Sequence, residues 1–190
     1  MAGDGCSQPR LVRDWRVLAD MTIDPAAASL LVACASLLFL VAAIHKLRDL
    51  RRFGEVFAAY GLLPMVAARR VAPLVPALEL GTAVALLFDD LRAPALTAAI
   101  VLLLAYAAAI GINLSRGRRD LDCGCAGPNN RRPIAAWMVW RNICIAILLS
   151  TPLLPWTDRP LVWTDGVTVG FGTACCSLLY LCLDRLRTLR

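Results

Sequence analysis

A polar loop of this chain carries two closely spaced cysteines that could form a redox pair or bind a metal. Cys123 and Cys125 flank one glycine in the segment RRDLDCGCAGPNNRRP, residues 118–133. A disulfide between residues two apart closes a small strained ring, and strained, exposed disulfides tend to be labile, catalytic or regulatory. The thiolate is the reactive form, which the arginines of the loop would favour and Asp120 and Asp122 would oppose. The spacing therefore favours thiol–disulfide exchange by this pair.

The same loop allows two other interpretations. Cys123 and Cys125 could supply half of a tetrahedral zinc site, with His45 and Cys182 as the other ligands. The sequence has no second CxC, no CxxC and no paired histidine motif that would support a metal, so no metal site is predicted. The third interpretation is a structural turn with incidental thiols. Four cysteines in apolar segments are expected to pack as small hydrophobic residues: Cys34, Cys144, Cys175 and Cys176.

Long apolar segments surround this loop and must position it. The chain is 59% hydrophobic with a mean hydropathy of +0.65, and a helix of about 20 apolar residues crosses a hydrocarbon core roughly 30 Å thick. We predict an all-α integral membrane protein with four to five spans, a polar tail over residues 1–24 and a basic tail over residues 184–190. The last predicted span contains Asp165 and three glycines. The predicted spans are residues 25–44, 71–88, 94–112, 134–154 and 161–183.

A short amphipathic helix is predicted after the first span. The segment RRFGEVFAAYGLLP, residues 51–64, alternates basic and apolar positions at helical spacing. One face would carry four aromatic or apolar side chains and would lie along the membrane interface. Those side chains are Phe53, Val56, Phe57 and Tyr60.

The basic residues predict the orientation of the chain. If five spans are present, fourteen Lys and Arg residues fall on one side of the membrane and five fall on the other. Basic residues accumulate on the cytoplasmic side, so the loop 113–133 and the C-terminus are predicted to be cytoplasmic. The net charge of +6 therefore marks the membrane boundary and does not imply nucleic acid.

Two charged residues within the predicted spans indicate a polar site inside the bundle. From the helical rise, Glu79 and Arg141 lie about 12 and 10.5 Å deep from the face that carries the cysteine loop, and Tyr106 lies about 9 Å deep. Buried charges are costly in a bilayer and are functional candidates. We therefore predict that Glu79 and Arg141 form an ion pair, with Tyr106 and Asn142 nearby. The pair could lock two helices together, or it could form the floor of a pocket beneath the cysteines.

Four motifs occur in an order that is typical of one membrane protein family. Over residues 25–150 the chain resembles the MauE methylamine-utilisation membrane proteins, within the broader MauE/DoxX-like redox-associated set. The motifs that carry the resemblance are HKLRD with the following F, Y and LLP (residues 45–64), PALELGTAVALL (76–87), NLSRGRRDLDCGCAG (113–127) and WMVWRN (137–142).

The resemblance implies a role in redox handling. The family's named role is maturation of the disulfide-rich small subunit of methylamine dehydrogenase, which is made for the periplasm. It implies that Cys123 and Cys125 are the redox pair, with His45, Lys46 and Arg141 at matching positions. Disulfides persist outside the cytoplasm, whereas the charge distribution places the loop inside. Either the loop exchanges electrons with a cytoplasmic reductant and passes reducing equivalents across, or the orientation is reversed.

The predicted function is thiol–disulfide handling or maturation of a partner protein at the bacterial cytoplasmic membrane. One thiolate of the pair would attack a partner disulfide and the other cysteine would resolve it, with His45 assisting proton transfer and Glu79 and Arg141 fixing the polarity of the pocket. The predicted partners are a thioredoxin-like protein, a disulfide-containing client or both, with no nucleic acid. The alternatives are a non-catalytic scaffold or assembly factor, and a carrier of quinone or another small molecule. Apart from the quinone of that last alternative, no cofactor is predicted.

Overall fold

Helices make up the architecture of the part of the chain that the structure describes. A computed structural model describes residues 24–122, 133–154 and 159–188, with side chains as far as residue 182. These ranges contain seven α-helices and two short 3-10 turns, Asp89–Leu91 and Thr151–Leu153. The helices are α1 Pro25–Arg48, α2 Leu50–Ala59, α3 Met65–Val71, α4 Leu74–Ala85, α5 Arg92–Ser115, α6 Ala136–Ser150 and α7 Trp163–Thr188.

Four helical segments of the described residues are long and apolar enough to cross a membrane. The predicted all-α multi-pass membrane fold is therefore confirmed, and the short helix predicted after the first span is present as α2. Asp165 does not interrupt the last helix, because it lies in the first turn and its carboxylate accepts the Val162 amide at 2.9 Å. The four segments are Pro25–Arg48, Asp89–Ser115, Ala136–Leu153 and Trp163–Cys182.

The second predicted span, residues 71–88, differs from the prediction because it is not one continuous helix. Pro73 and Pro76 both lack the amide hydrogen that a helix needs, and the Val75 amide bonds back only three residues, to Ala72. The chain therefore forms α3 and α4 with a break at residues 72–73. With 12 residues, α4 is about 18 Å long, which is shorter than a bilayer core.

The main core lies between α1, α4, α5 and α6. Helix α1 packs along both α4 and α7, and α5 packs along α6. Small side chains let these helices approach closely, and the Ser36 hydroxyl donates to the Ala83 carbonyl at 2.8 Å between α1 and α4. The buried side chains of this core include Val32, Ala35, Phe39, Leu86, Leu96, Ala99, Leu103, Ala146 and Leu149.

The first and last helices begin at the same end of the bundle, which we call the Arg159 end after the arginine that joins them. The Asp24 carboxylate caps α1 by accepting the Ala26 amide at 2.8 Å. Arg159 donates to Asp24 at 3.1 Å and to Asp165 at 2.9 Å. Because α1 and α7 start together and pack along each other, they run parallel. This is the arrangement expected of the first and fifth crossings of a five-span bundle.

Candidate functional site

A buried ion pair lies at the other end of the bundle, where α1, α4 and α5 meet. The Lys46 ammonium donates to Glu79 Oε1 and to the Tyr106 hydroxyl, the latter at 3.0 Å. The Tyr106 hydroxyl donates to the same carboxylate oxygen at 2.6 Å. The side chains of Lys46 and Glu79 are only 2% and 1% exposed. We call the end of the bundle that contains these three residues the Lys46 end.

Lys46 is buried because of its position on α1. The buried residues of this helix recur every three or four positions and end with Lys46. That spacing places them on one face of the helix, so the lysine side chain points into the bundle although it is charged. The buried series is Ala28, Val32, Ala35, Phe39, Ala43 and Lys46.

Aromatic rings enclose the lysine charge. Its Nζ atom lies 4.7 Å from the centre of the Tyr106 ring and 5.4 Å from that of Phe53 in α2. Both distances are typical of cation–π attraction. Phe53, which the sequence placed on the apolar face of an interfacial helix, is buried in the protein. Helix α2 therefore covers the ion pair.

One carboxylate oxygen of this site has an unused bonding capacity. Glu79 Oε2 is buried and has no hydrogen-bond partner among the described residues. A buried acceptor without a donor is costly. The site can therefore accept one more hydrogen-bond donor or proton without displacing Lys46 or Tyr106.

The predicted ion pair between Glu79 and Arg141 is wrong. Glu79 pairs with Lys46, whose long side chain reaches it from the end of α1. Arg141 instead donates to the Tyr180 hydroxyl of α7 at 3.0 Å and to the Asn142 side chain at 3.4 Å. The depth estimate correctly placed Tyr106 beside Glu79, but helical rise gives height only and does not say which face of α6 carries Arg141.

Arg141 forms a second polar contact, between α6 and α7. Its guanidinium lies 5.2 Å from the Trp137 ring and 5.8 Å from the Tyr180 ring. Its Nε atom is buried and has no hydrogen-bond partner in the described part of the chain. Stacking on aromatic faces suits a guanidinium, so within the described part of the chain two rings, and no carboxylate, hold the Arg141 charge. Asn142, the next residue of α6, is also buried.

His45 lies next to Lys46 but is only partly buried. Its Nδ1 atom is buried and has no hydrogen-bond partner within the described ranges. Adjacent residues of a helix point about 100° apart, so His45 and Lys46 face different surroundings. The predicted role of His45 in proton transfer stays a prediction.

The two ends of the cysteine loop are held together at α2. Asp122 and Pro133 form an isolated antiparallel bridge, and the Ile134 amide donates to the Leu121 carbonyl at 3.0 Å. The Asp122 carboxylate also accepts from Arg52 of α2 at 3.2 Å. Cys123 and Cys125 lie outside the described residues, and the residue before Cys123 is held by Arg52, the sequence neighbour of Phe53.

A second arginine fixes the end of α2 to the segment that leads into the loop. Arg118 donates to the carbonyls of Ala59 and Tyr60 at 2.8 and 3.3 Å, and to Asn113 Oδ1 at 3.1 Å. Gly61 adopts a φ of +63° here, and a Cβ atom on it would lie 3.2 Å from the Arg118 guanidinium. The backbone turn and the arginine therefore require glycine at this position.

A small apolar cluster supports the same region. Tyr60 packs with Ile110 of α5 and with Ile134 and Met138 at the start of α6. All four side chains are buried. The polar anchors of Arg52 and Arg118 therefore rest on a packed base, which joins α2, α5 and α6 beneath the loop ends.

These features define a multi-pass helical membrane protein with a buried lysine–glutamate pair at one end of its bundle. A family model described as methylamine utilisation protein MauE matches residues 23–155. The chain therefore belongs to the MauE family, as its motifs indicated. The likeness to the wider DoxX-like set stays an expectation.

Curated relatives match nearly the whole chain. A methylamine utilization protein MauE of Paracoccus denitrificans is 36% identical over 167 residues, which cover 86% of this chain and 89% of the relative. One of Methylophilus methylotrophus is 33% identical over 169 residues, covering 88% of this chain and 89% of that protein. No solved structure matches.

Proposed function

We propose that this protein is a membrane component of methylamine utilisation that exchanges disulfides with a partner protein through Cys123 and Cys125. The role in methylamine utilisation is supported by the names of its curated relatives. The proposed client is a disulfide-rich protein such as the small subunit of methylamine dehydrogenase, and a thioredoxin-like protein is the proposed redox partner. The proposed location is the cytoplasmic membrane of a bacterium.

The proposed reaction is a balanced two-electron exchange. A thiolate of the reduced pair attacks one sulfur of the client disulfide, which forms a mixed disulfide and releases a client thiolate. The second cysteine of the pair then attacks the mixed disulfide. The client is released with two thiols, and Cys123 and Cys125 are left joined by a disulfide. The reverse sequence oxidises a client dithiol and reduces the pair.

The single observation that carries the proposal is the anchoring of the loop at Asp122. The ion pair with Arg52 and the bridge to Pro133 fix the residue that immediately precedes Cys123. Arg52 is next in sequence to Phe53, whose ring covers Lys46. The anchor thus supports a cysteine pair held close to the buried ion pair.

The buried groups would supply polarity and a proton route. We propose that Lys46, Glu79 and Tyr106 take the role that the sequence assigned to Glu79 and Arg141. Glu79 Oε2 is the buried acceptor in this group that still lacks a donor among the described residues. His45, with its buried Nδ1 atom, is the proposed carrier of the proton released when a thiol ionises.

The experiment that tests this proposal replaces both loop cysteines with serine. Cys123→Ser/Cys125→Ser should abolish growth on methylamine and leave the client with unpaired or wrongly paired cysteines, because no thiolate is available for exchange. Cys144→Ser is the matched control, since Cys144 is an exposed thiol of α6. Normal growth and a correctly paired client in the double variant would refute exchange and favour the second candidate, a non-catalytic scaffold.

The same assay tests the anchor. Arg52→Gln removes the guanidinium that holds Asp122, whereas its neighbour Arg51 is almost fully exposed and pairs with Glu55 at 3.7 Å. Arg52→Gln should slow client maturation, and Arg51→Gln should leave it unchanged. Equal rates in the two variants would remove the anchor from the mechanism. Maleimide labelling of Cys123 and Cys125 from each side of intact cells identifies the side on which exchange takes place.

A further inference from the structure

Helices α1 and α7 pack in a parallel register that two separate contacts define. At the Arg159 end, Arg159 joins Asp24, which caps α1, to Asp165 in the first turn of α7. Further along, Gly172 of α7 approaches Leu30 of α1 so closely that a Cβ atom on Gly172 would lie 2.9 Å from Leu30 Cδ1. Glycine at such a contact allows two helix backbones to come together.

One helical turn beyond the glycine contact, the register brings two cysteines together. Cys34 follows Leu30 by four residues and Cys176 follows Gly172 by four, so both lie on the helix faces that meet. Both residues therefore lie where α1 and α7 pack against each other. Cys34 and Cys176 are both free thiols. They therefore form a thiol pair between the first and last helices.

Ordinary helix packing is compatible with a disulfide at this position. Helices with axes about 8 to 10 Å apart bring facing Cα atoms to roughly 3.4 to 5.4 Å. A disulfide needs Cα atoms about 4.4 to 6.8 Å apart. Glycine at position 172 permits such an approach of α1 and α7. Helix α7 contributes no described residue to the main core, so a disulfide here would not require that core to move.

The position of the pair limits what can react with it. Cys34 lies nine residues into α1, so it is about 13.5 Å from the start of that helix and near the middle of a hydrocarbon core of roughly 30 Å. Cys176 is exposed, and it belongs to a helix whose outer surface carries the large apolar side chains Phe171, Leu178 and Leu179. Such a surface faces lipid in a membrane. A water-soluble protein cannot bring its active site there, whereas a small lipid-soluble molecule can.

We propose that Cys34 and Cys176 form a redox-active dithiol inside the membrane, which a lipid-soluble quinone oxidises to a disulfide between α1 and α7. Two S–H bonds break and one S–S bond forms. The two sulfurs lose two electrons and two protons, and the quinone takes up both to become a hydroquinone. The oxidised form ties the last helix covalently to the first, and this site is independent of the proposed exchange at Cys123 and Cys125.

The test exposes membranes that contain the full chain to a short-chain benzoquinone. After free thiols are blocked, the protein is digested without reductant and the linked peptides are identified by mass spectrometry. We expect one linkage, between residues 34 and 176, and one hydroquinone for each disulfide formed. Cys175→Ser should retain the linkage, and both Cys34→Ser and Cys176→Ser should abolish it. Cys176 is exposed, so serine at that position leaves the core intact.

Further arms separate this proposal from its alternatives. The linkage should persist in Cys123→Ser/Cys125→Ser, because it does not depend on the loop cysteines. Oxidised glutathione, which stays in water, should produce far less of it than the quinone. If Cys34 and Cys176 stay alkylatable after quinone treatment, if Cys34 links to Cys175, or if glutathione works equally well, the proposed quinone-linked dithiol is refuted.

Discussion

Each end of the bundle contains an ion pair that joins helices, but the pair at the Lys46 end is buried and the pairs at the Arg159 end are partly exposed. At the Lys46 end, the lysine and glutamate side chains are sealed beneath Phe53 and Tyr106. At the Arg159 end, the side chains of Arg159 and Asp24 are 38% and 55% exposed. Similar ion pairs therefore stand in very different surroundings.

This difference decides what each end contributes. Exposed ion pairs add little stability, since water solvates the separated charges almost as well. A buried pair has already lost its hydration, so removing one partner leaves an uncompensated charge in an apolar interior. Removing one partner at the Lys46 end should consequently cause a large loss of unfolding free energy, whereas removing one at the Arg159 end should cause a small loss. A buried pair is also weak evidence for stability, which makes a functional reason for keeping it more plausible.

The largest effect is expected from breaking the buried pair. Lys46→Met and Glu79→Gln should each lower the free energy of unfolding by about 3 to 5 kcal/mol, because each leaves the other group buried without its partner. The measurement is denaturation in mixed detergent micelles, followed by tryptophan fluorescence.

The control for this prediction removes both charges at once. Lys46→Met/Glu79→Leu should recover most of the stability that either single variant loses, since an apolar pair of similar size is often as stable as a buried ion pair. Recovery of stability without recovery of client maturation would assign the pair a functional role. Additive losses in the double variant would show that the two side chains do not act as a pair.

A smaller effect is expected from the tyrosine that supports the pair. Tyr106→Phe removes the hydrogen bond to Glu79 Oε1 and should cost about 1.5 to 3 kcal/mol, the range for hydrogen bonds to charged groups. Tyr180→Phe, which takes a hydroxyl from Arg141 at a partly buried position, should cost less in the same denaturation assay. A reversed order would place the sealed site around Arg141 rather than around Lys46.

Much of the fold follows from the sequence, because apolar length is a direct requirement of the bilayer. The helix predicted over residues 25–44 and the last one over residues 161–183 are both present, since neither contains an internal proline. The second predicted span is interrupted at residues 72–73, where the composition is apolar but Pro73 and Pro76 lack the amide hydrogens of a continuous helix. Hydropathy measures the apolar composition of a segment and is insensitive to the missing amide hydrogens of its prolines.

Only part of the candidate site could be predicted, because the position of a residue along a span gives its depth in the membrane but not the helix face on which it lies. Glu79 and Tyr106 were placed at similar depths and do meet. Lys46 was grouped with the boundary charges of its HKLRD motif, although its spacing from Phe39 and Ala43 already continues the buried face of α1. The anchors Arg52 and Arg118 could not be found from local sequence, since Arg52 and Asp122 are 70 residues apart.

The smallest effect is expected at the Arg159 end, and pH separates it from the Lys46 end. The Ala26 amide and then Arg159 hold the pKa of Asp24 below its ordinary value of 3.8. A carboxylate with a lowered pKa stabilises the fold fully above its unfolded value and loses that contribution as the pH falls through the folded one. Asp24→Asn should therefore be slightly less stable than the wild type at neutral pH and equal to it in strong acid. High salt should shrink the difference.

Asp90→Asn, which removes a different exposed carboxylate, should leave the denaturation midpoint unchanged at every pH. A large, salt-independent loss in Asp24→Asn would mean that the Arg159 end is sealed from water as the Lys46 end is, and the contrast between the two ends would disappear.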